Sequence, residues 1–224
     1  MQVTDATLQR RTIRRFLLEP VPGDILREVL SEALWAPSWG NTQPFEVVVA
    51  TGDPLERFRK ENERALREGR TSKPDIPMPE HWPELHQARY RDVGRSVLQA
   101  LEIPRGDSEA RLDYYAQMFS LFGAPALVVV TISRQIAVEY AMLDVGLFLQ
   151  TFCLAAEDRG LGTAILAASV RYPEIVRRNF SIPEDRRIVM GVAVGRPDPD
   201  APVNRFPRTR APLEQMVRWV GSPS

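Results

Sequence analysis

Residues 36–50, APSWGNTQPFEVVVA, place a cluster of short polar side chains directly before an apolar run. The second half, PFEVVVA, is rich in β-branched residues and follows a proline-bounded turn, so it reads as a buried strand. Upstream, Asp24 is a good N-cap for ILREVLSEALW, whose Ile25, Leu26, Val29, Leu30, Ala33 and Leu34 recur with helical period until Pro37 bars continuation. Downstream, Asp53 and Pro54 open a strongly charged helix that runs to about Glu68. Residues 69–83 then carry Pro74, Pro77, Pro79 and Pro83, which forbid regular structure, and loops of this length often serve as lids or arms. Helical patterns over 84–101 and 107–122 come next, followed by the strand PALVVVTIS and a long apolar helix around 139–158. The strand GTAILAAS, a short helix opened by Pro173 and the strand RIVMGVAVG complete the series. Strands separated by helices point to an α/β or α+β sandwich.

Two arginine clusters flank this series. LQRRTIRRF near the start carries Arg10, Arg11, Arg14 and Arg15, and NRFPRTR near the end carries Arg205, Arg208 and Arg210. Each mixes guanidinium groups with a hydroxyl donor, Thr12 or Thr209, which suits a phosphate held by charge-assisted hydrogen bonds. A solvated basic face is the alternative reading of either cluster.

Length and composition bound the possibilities. With 224 residues, 44% of them hydrophobic, the chain can bury a sizeable core as one domain, 1–224. Twenty-nine basic and 29 acidic residues balance, and no continuous basic stripe is present, so nucleic acid is not the expected partner. No membrane association is expected either, since no run reaches the roughly 18 to 20 apolar residues of a span. The opening residues lack the apolar core of a secretory signal, so the expected location is cytoplasmic. The single cysteine, Cys153, sits in the apolar LFLQTFCLAA and reads as a buried structural thiol rather than a nucleophile. No tight glycine loop follows the first arginine cluster, so a dinucleotide-binding fold is excluded, and Gly160 reads as a helix C-cap. His81 and His86 share no spacing with a cysteine pair, so no metal site is expected.

In order and approximate spacing, LQRRTIRRF, PVPGDILREVLSEALWAPSWGNTQPFEVVV, LDVGLFLQTFCLAAEDRGLGTAIL and the PRTR tail resemble the FMN-dependent nitroreductase family. The resemblance covers nearly the whole chain and is weakest over 53–122. It implies an α+β, three-layer sandwich with a central mixed, mainly antiparallel sheet flanked by helices, in an intertwined homodimer with two FMN sites at the interface. The long helix bearing Asp144, Gly146, Phe148, Gln150 and Leu154 is apolar around most of its surface, as a helix buried on every side at the centre of an intertwined dimer would be, with ordinary core packing as the alternative. The closing PLEQMVRWV, residues 212–220, has helical spacing and could lie across a neighbour.

Residue by residue, the resemblance implies that Arg10, Arg11, Thr12 and Arg14 hold the FMN phosphate and that Arg208 and Arg210 close on it. Pro37, Ser38, Asn41 and Gln43 match the turn that touches the ribityl chain and ring, commonly from the other subunit. Short amides and hydroxyls suit ribityl hydroxyls and ring carbonyls. Ala167 and Ala168 match the backbone that meets flavin N5 and O4, although several family members carry an acidic residue where Ala167 stands. Trp39 stands where the family usually has a small residue, and it is read either as a wall of the flavin and substrate site or as an interface residue. Tyr114 and Tyr115 are candidate substrate-pocket residues with Trp39, and with Tyr90 and Arg91 they could line a lid, although helix packing is the preferred reading of the tyrosines.

The implied reaction is ping-pong transfer of hydride from NADPH or NADH through FMN to a small aromatic, nitroaromatic or quinone-type acceptor. No side chain acts as nucleophile in such a scheme, because the cofactor carries the electrons. Alternatives within the superfamily are a flavin-fragmenting enzyme of benzimidazole biosynthesis and a reductive dehalogenase; outside it, a non-enzymatic flavin-binding sensor.

Overall fold

The computed structural model describes residues 1–221; of the expected 1–224 domain, residues 222–224 lie outside them. Helix α1 (Val3–Gln9) precedes the first arginine cluster, and α2 (Gly23–Ala33) follows it. Strand β1 (Phe45–Thr51) leads into α3 (Gly52–Arg67), α4 (Glu84–Ala100) and α5 (Ser108–Phe119). Strand β2 (Ala126–Ser133), α6 (Val138–Asp158), β3 (Gly162–Leu166), α7 (Pro173–Phe180), β4 (Arg186–Gly195) and a single-turn α8 (Leu213–Met216) complete the chain.

The four strands form one sheet in the order β1-β2-β4-β3, with every pairing antiparallel. The expected mixed character reduces, among the described residues, to one parallel bridge between Thr12 and Thr163. β2 is central and buried along nearly its whole length, as its continuous apolar run requires when both faces are covered. Successive residues feed opposite cores. Leu127 and Val129 join Leu55, Phe58, Phe119 and Ile175 under α3, α5 and α7. Val128, Val130 and Ile132 join Val29, Phe148 and Phe152 under α2 and α6. The result is the three-layer α+β sandwich.

Several expected elements end early, each for a local reason. α5 begins as expected, with Asp107 capping Ala110 N–H at 2.9 Å, but stops at Phe119 because Leu121 and Phe122 adopt φ of 62° and 54°. The GTAILAAS strand ends at Leu166, and residues 167–170 coil into a 3-10 turn in which Ser169 Oγ donates to the Leu166 carbonyl at 2.6 Å. The expected C-terminal helix is one turn long, since Leu213, Met216, Val217 and Val220 are all exposed and no packing offsets the cost of helix nucleation. α2 starts at Gly23, so Asp24 lies in its first turn and accepts from Ile25 N–H at 2.9 Å. Gly160, at φ 68°, terminates α6 as expected, and Cys153 is a free, buried thiol that burial pushes up.

The proline-rich loop is irregular, but it is pinned rather than loose. Asp75, nine-tenths buried, pairs with Arg177 at 2.5 Å and Arg134 at 3.2 Å, and accepts from Ile188 N–H at 2.8 Å. Ser72 Oγ donates to the Arg171 carbonyl at 3.2 Å. α6 corrects one expectation. Its 21 residues do have the length and composition of a membrane span, although Ala141, Val145, Phe148, Phe152 and Ala156 pack into the second core. Within the protomer Tyr140, Leu143 and Leu147 leave an exposed apolar stripe on the same helix.

Candidate functional site

Both ends of the chain meet at one place. After α1 the backbone runs along the free edge of β3, where Ile13 N–H donates to the Thr163 carbonyl, and on past the end of β4, where Leu17 N–H donates to the Arg196 carbonyl, each at 2.9 Å. Gly162 permits this approach, because a Cβ there would stand 2.4 Å from Ile13 Cγ1. The returning tail crosses the same segment through Asn204, which is 4% exposed. Its Oδ1 accepts from Arg14 N–H at 2.8 Å, and its Nδ2 donates to the carbonyls of Arg15 at 2.8 Å and Asp198 at 3.0 Å. Its own carbonyl accepts from Arg11 Nη1 at 2.5 Å. The Arg208 guanidinium donates to the carbonyls of Leu8 and Arg10. Arg14 lies 5.6 Å over the Phe206 ring and donates to the Thr12 carbonyl at 3.3 Å.

These contacts shape a cavity of about 480 Å³ lined by Arg10, Arg11, Thr12 and Arg14 from the head and by Arg208, Thr209 and Arg210 from the tail. α4 forms another wall through Asp92, Arg95 and Ser96. Asp92 is paired with Arg95 at 2.9 Å. The positive charge is concentrated enough to act on itself: removal from water, then repulsion from Arg11, Arg10 and Arg210, pulls Arg208 below the ordinary arginine value. Burial pushes the nearby Glu157 carboxyl up, against the pull of Arg10, Arg208 and Arg11. Guanidinium groups concentrated in this way can hold an anion with several acceptor oxygens. Arg15 and Arg205 do not line it; they turn to Asp198 and the Asp200 carbonyl.

Residues 7–196 match the family described as Nitroreductase. The chain belongs to the nitroreductase family. It is 33% identical over 224 residues to the nitrobenzene nitroreductase of Ectopseudomonas oleovorans, covering 97% of this chain and 96% of that protein. It is 30% identical to nitroreductase NfnB of Mycolicibacterium smegmatis over 94% of this chain and 89% of that protein. The crystal structure of an FMN and NADPH-dependent nitroreductase NfnB from a Sphingopyxis strain superimposes with a TM-score of 0.95 at 28% identity, covering 99% of this chain and 100% of that one.

In this member of the family, the other expected site residues fall into separate places within the protomer. The 37–43 turn does not line the arginine cavity; Pro37, Trp39, Asn41 and Gln43 are exposed and Ser38 is half-buried. Within the turn, Ser38 Oγ accepts from Gln43 N–H at 3.0 Å, and Gln43 Nε2 donates to Asn41 Oδ1 at 3.1 Å. Ala167 and Ala168 open the 3-10 turn after β3, and Ala168 is buried. Tyr114 lies in the first core, 6.0 Å from the Phe122 ring, with its phenol pushed up by burial against the charge of Arg14. Tyr115 opens instead on a different pocket, of about 330 Å³, beside Arg111 and Leu112. Tyr90 is exposed on α4.

Three buried polar residues that organise these segments lie outside the sequence-level expectations. Asn62 is fully buried; its Nδ2 donates to the carbonyls of Phe119 at 2.7 Å and Ala168 at 3.1 Å, tying α3 and α5 to the turn after β3. A signal was present, because Leu55, Phe58, Asn62 and Ala65 form one helical stripe in which a lone amide interrupts apolar residues. Asp144 interrupts the Ala141, Val145, Phe148 stripe of α6 in the same way. Asn204 carries no comparable signal, since its partners are main-chain groups nearly two hundred residues away.

Proposed function

We propose that this chain is an FMN-dependent oxidoreductase that takes electrons from NADPH or NADH and reduces nitroaromatic or quinone-type acceptors. The observation that carries this reading is the convergence of both arginine clusters on one cavity. Six arginines line it against one acid, Asp92, which Arg95 already neutralises. The donor set fits a phosphate monoester, and the volume admits more than a phosphate alone. Arg10, Arg11, Thr12, Arg14, Arg208 and Arg210 would hold the phosphate, with Asn204 fixing the backbone from which the head arginines project. Bound FMN supplies the two-electron chemistry.

The chain's own residues then bind, orient and shield. Main-chain groups of Ala167 and Ala168 would face the flavin N5 and O4 edge, held from behind by Asn62. Pro37, Ser38, Asn41 and Gln43 would meet the ribityl chain and ring, and Trp39 would wall the acceptor site. Because the turn and the arginine cavity are separate within the protomer, the reading includes a homodimer in which a second copy completes each site. The exposed stripe of Tyr140, Leu143 and Leu147, with Trp35 and the apolar tail, supports such pairing. The free thiol of Cys153 fits a reducing, cytoplasmic setting.

The test is the visible absorption spectrum of the purified protein, before and after adding FMN and removing the excess. A retained flavin band that bleaches anaerobically with NADPH or NADH is the expected result. A retained band that neither nicotinamide bleaches would assign a non-enzymatic flavin binder. Absence of retained flavin under all conditions would overturn the reading.

A further inference from the structure

The 37–43 turn is held by a group on another element. Trp39 opens the 3-10 turn Trp39–Asn41, so its N–H is among those the turn itself leaves without a partner. The Asp144 carboxylate on α6 accepts it, with Oδ1 at 3.1 Å and Oδ2 at 3.3 Å. Asp144 is 3% exposed, and none of the ion pairs among the described residues includes it. A buried carboxylate facing one neutral donor and no cation is a poor stabiliser, because removal from water outweighs what a single N–H returns. Its value is local.

The turn it grips is strained. Gly40, Asn41 and Gln43 sit at φ of 55°, 58° and 45°, and non-glycine residues persist there only where the surroundings over-determine them. The Trp39 ring adds a second tie to α6, stacking on Tyr140 with centroids 4.9 Å apart and planes at 26°. Both rings are more than half exposed, at 67% and 58%, so the stack orients Trp39 without burying it.

We propose that Asp144 is a positioning residue: by capping Trp39 N–H from α6, it holds the Ser38–Gln43 turn in its left-handed conformation and so presets the FMN-facing amides and the Trp39 ring. The consequence for FMN rests on the functional reading above; the hold on the turn does not. The experiment compares full-length wild type, Asp144→Val and Asp144→Asn by amide hydrogen exchange across residues 38–43, with FMN affinity measured in parallel. Valine fills the site with a somewhat larger apolar group and removes the acceptor, whereas asparagine keeps the shape and its amide oxygen still accepts from Trp39 N–H.

Exchange across the turn should rise at least tenfold in Asp144→Val and stay within threefold of wild type in Asp144→Asn. The dissociation constant for added FMN should rise at least fivefold in the valine variant alone. Val29→Ala, a cavity in the same core, serves as the stability control and should leave both readouts unchanged. Unchanged exchange in Asp144→Val, or an equal rise in Val29→Ala, overturns the proposal. Should the valine variant not fold, Asp144→Ala carries the same comparison. Wild type that binds no FMN would remove the functional reading, while the exchange comparison would still decide the role of Asp144.

Discussion

Gly191 on β4 is the tightest point behind the segment that carries Ala167 and Ala168, and Gly191→Ala probes it directly. A Cβ at this position would stand 2.1 Å from Ser169 Oγ, 2.9 Å from Ser169 Cβ and 3.1 Å from Leu127 Cδ1. Ser169 is fully buried, and its hydroxyl is committed to the Leu166 carbonyl at 2.6 Å, so moving away from the new methyl breaks that bond. Overpacking of this kind costs about 1–3 kcal/mol, and loss of the hydroxyl bond adds about 1 kcal/mol. The lower entropy of an unfolded alanine returns about 0.5–1 kcal/mol. The net destabilisation is therefore about 2 kcal/mol, equivalent to a melting shift of roughly 4–8 °C for a chain of this size. Ser169→Gly removes the two closest contacts and by itself costs about 1–2 kcal/mol through the lost bond and added chain entropy. If the clash is what makes glycine necessary, the double variant should be about 1–2 kcal/mol more stable than the sum of the singles predicts. Urea unfolding followed by tryptophan fluorescence at one fixed protomer concentration measures the cycle. Additivity within about 0.5 kcal/mol would refute the steric account and assign the cost to the strand instead.

Replacing Arg208 and Arg210 together by alanine removes two charge-assisted donors and should weaken FMN binding about 10- to 100-fold, read as flavin retained after gel filtration; unaltered flavin content would refute their phosphate role. Asp75→Ala leaves Arg177 and the Ile188 N–H without their carboxylate and should cost about 3 kcal/mol in urea unfolding. The same variant should make residues 69–83 the first site of limited proteolysis, and a loop that stays resistant would show the anchor to be dispensable. Asn62→Leu strands the buried carbonyls of Phe119 and Ala168 and should cost about 2 kcal/mol while broadening the bound-flavin spectrum. An unchanged spectrum at equal stability loss would confine Asn62 to packing.

The sandwich was legible because its strands differ in kind. PALVVVTIS is apolar on both faces and proves central, whereas PFEVVVA carries Glu46 and an exposed Val49 and proves an edge. The misread boundaries share one cause. Ala167, Ala168 and Ser169 look like strand by composition, but the Ser169 hydroxyl and its fit against Gly191 turn the chain, and neither is visible without the neighbouring strand. The tail has helical spacing yet meets no apolar partner in the protomer, so periodicity alone overstated its helix. At the site, charge was legible and placement was not. By charge alone Arg15 and Arg205 look like the arginines that line the cavity; the family resemblance separates them, whereas Arg95 on α4, which also lines it, carried no signal.

The overall charge balance and the local cationic cavity are two sides of one arrangement. Many acids spend their charge on pairs away from the cavity, such as Arg64–Glu68 and Arg67–Glu63 on helix surfaces and the α2–α6 link Arg159–Glu32. Exposed pairs of this kind contribute little to stability, but they occupy the acids that could otherwise neutralise the arginine cavity. The head and tail arginines face mainly carbonyl oxygens, which fix their direction without cancelling their charge. Repulsion among Arg10, Arg11, Arg208 and Arg210 is thereby kept as a standing cost of the folded protein. An anion that binds only the folded chain relieves that cost as it binds, so affinity for a phosphate and stability of the joined chain ends are coupled through the same four side chains.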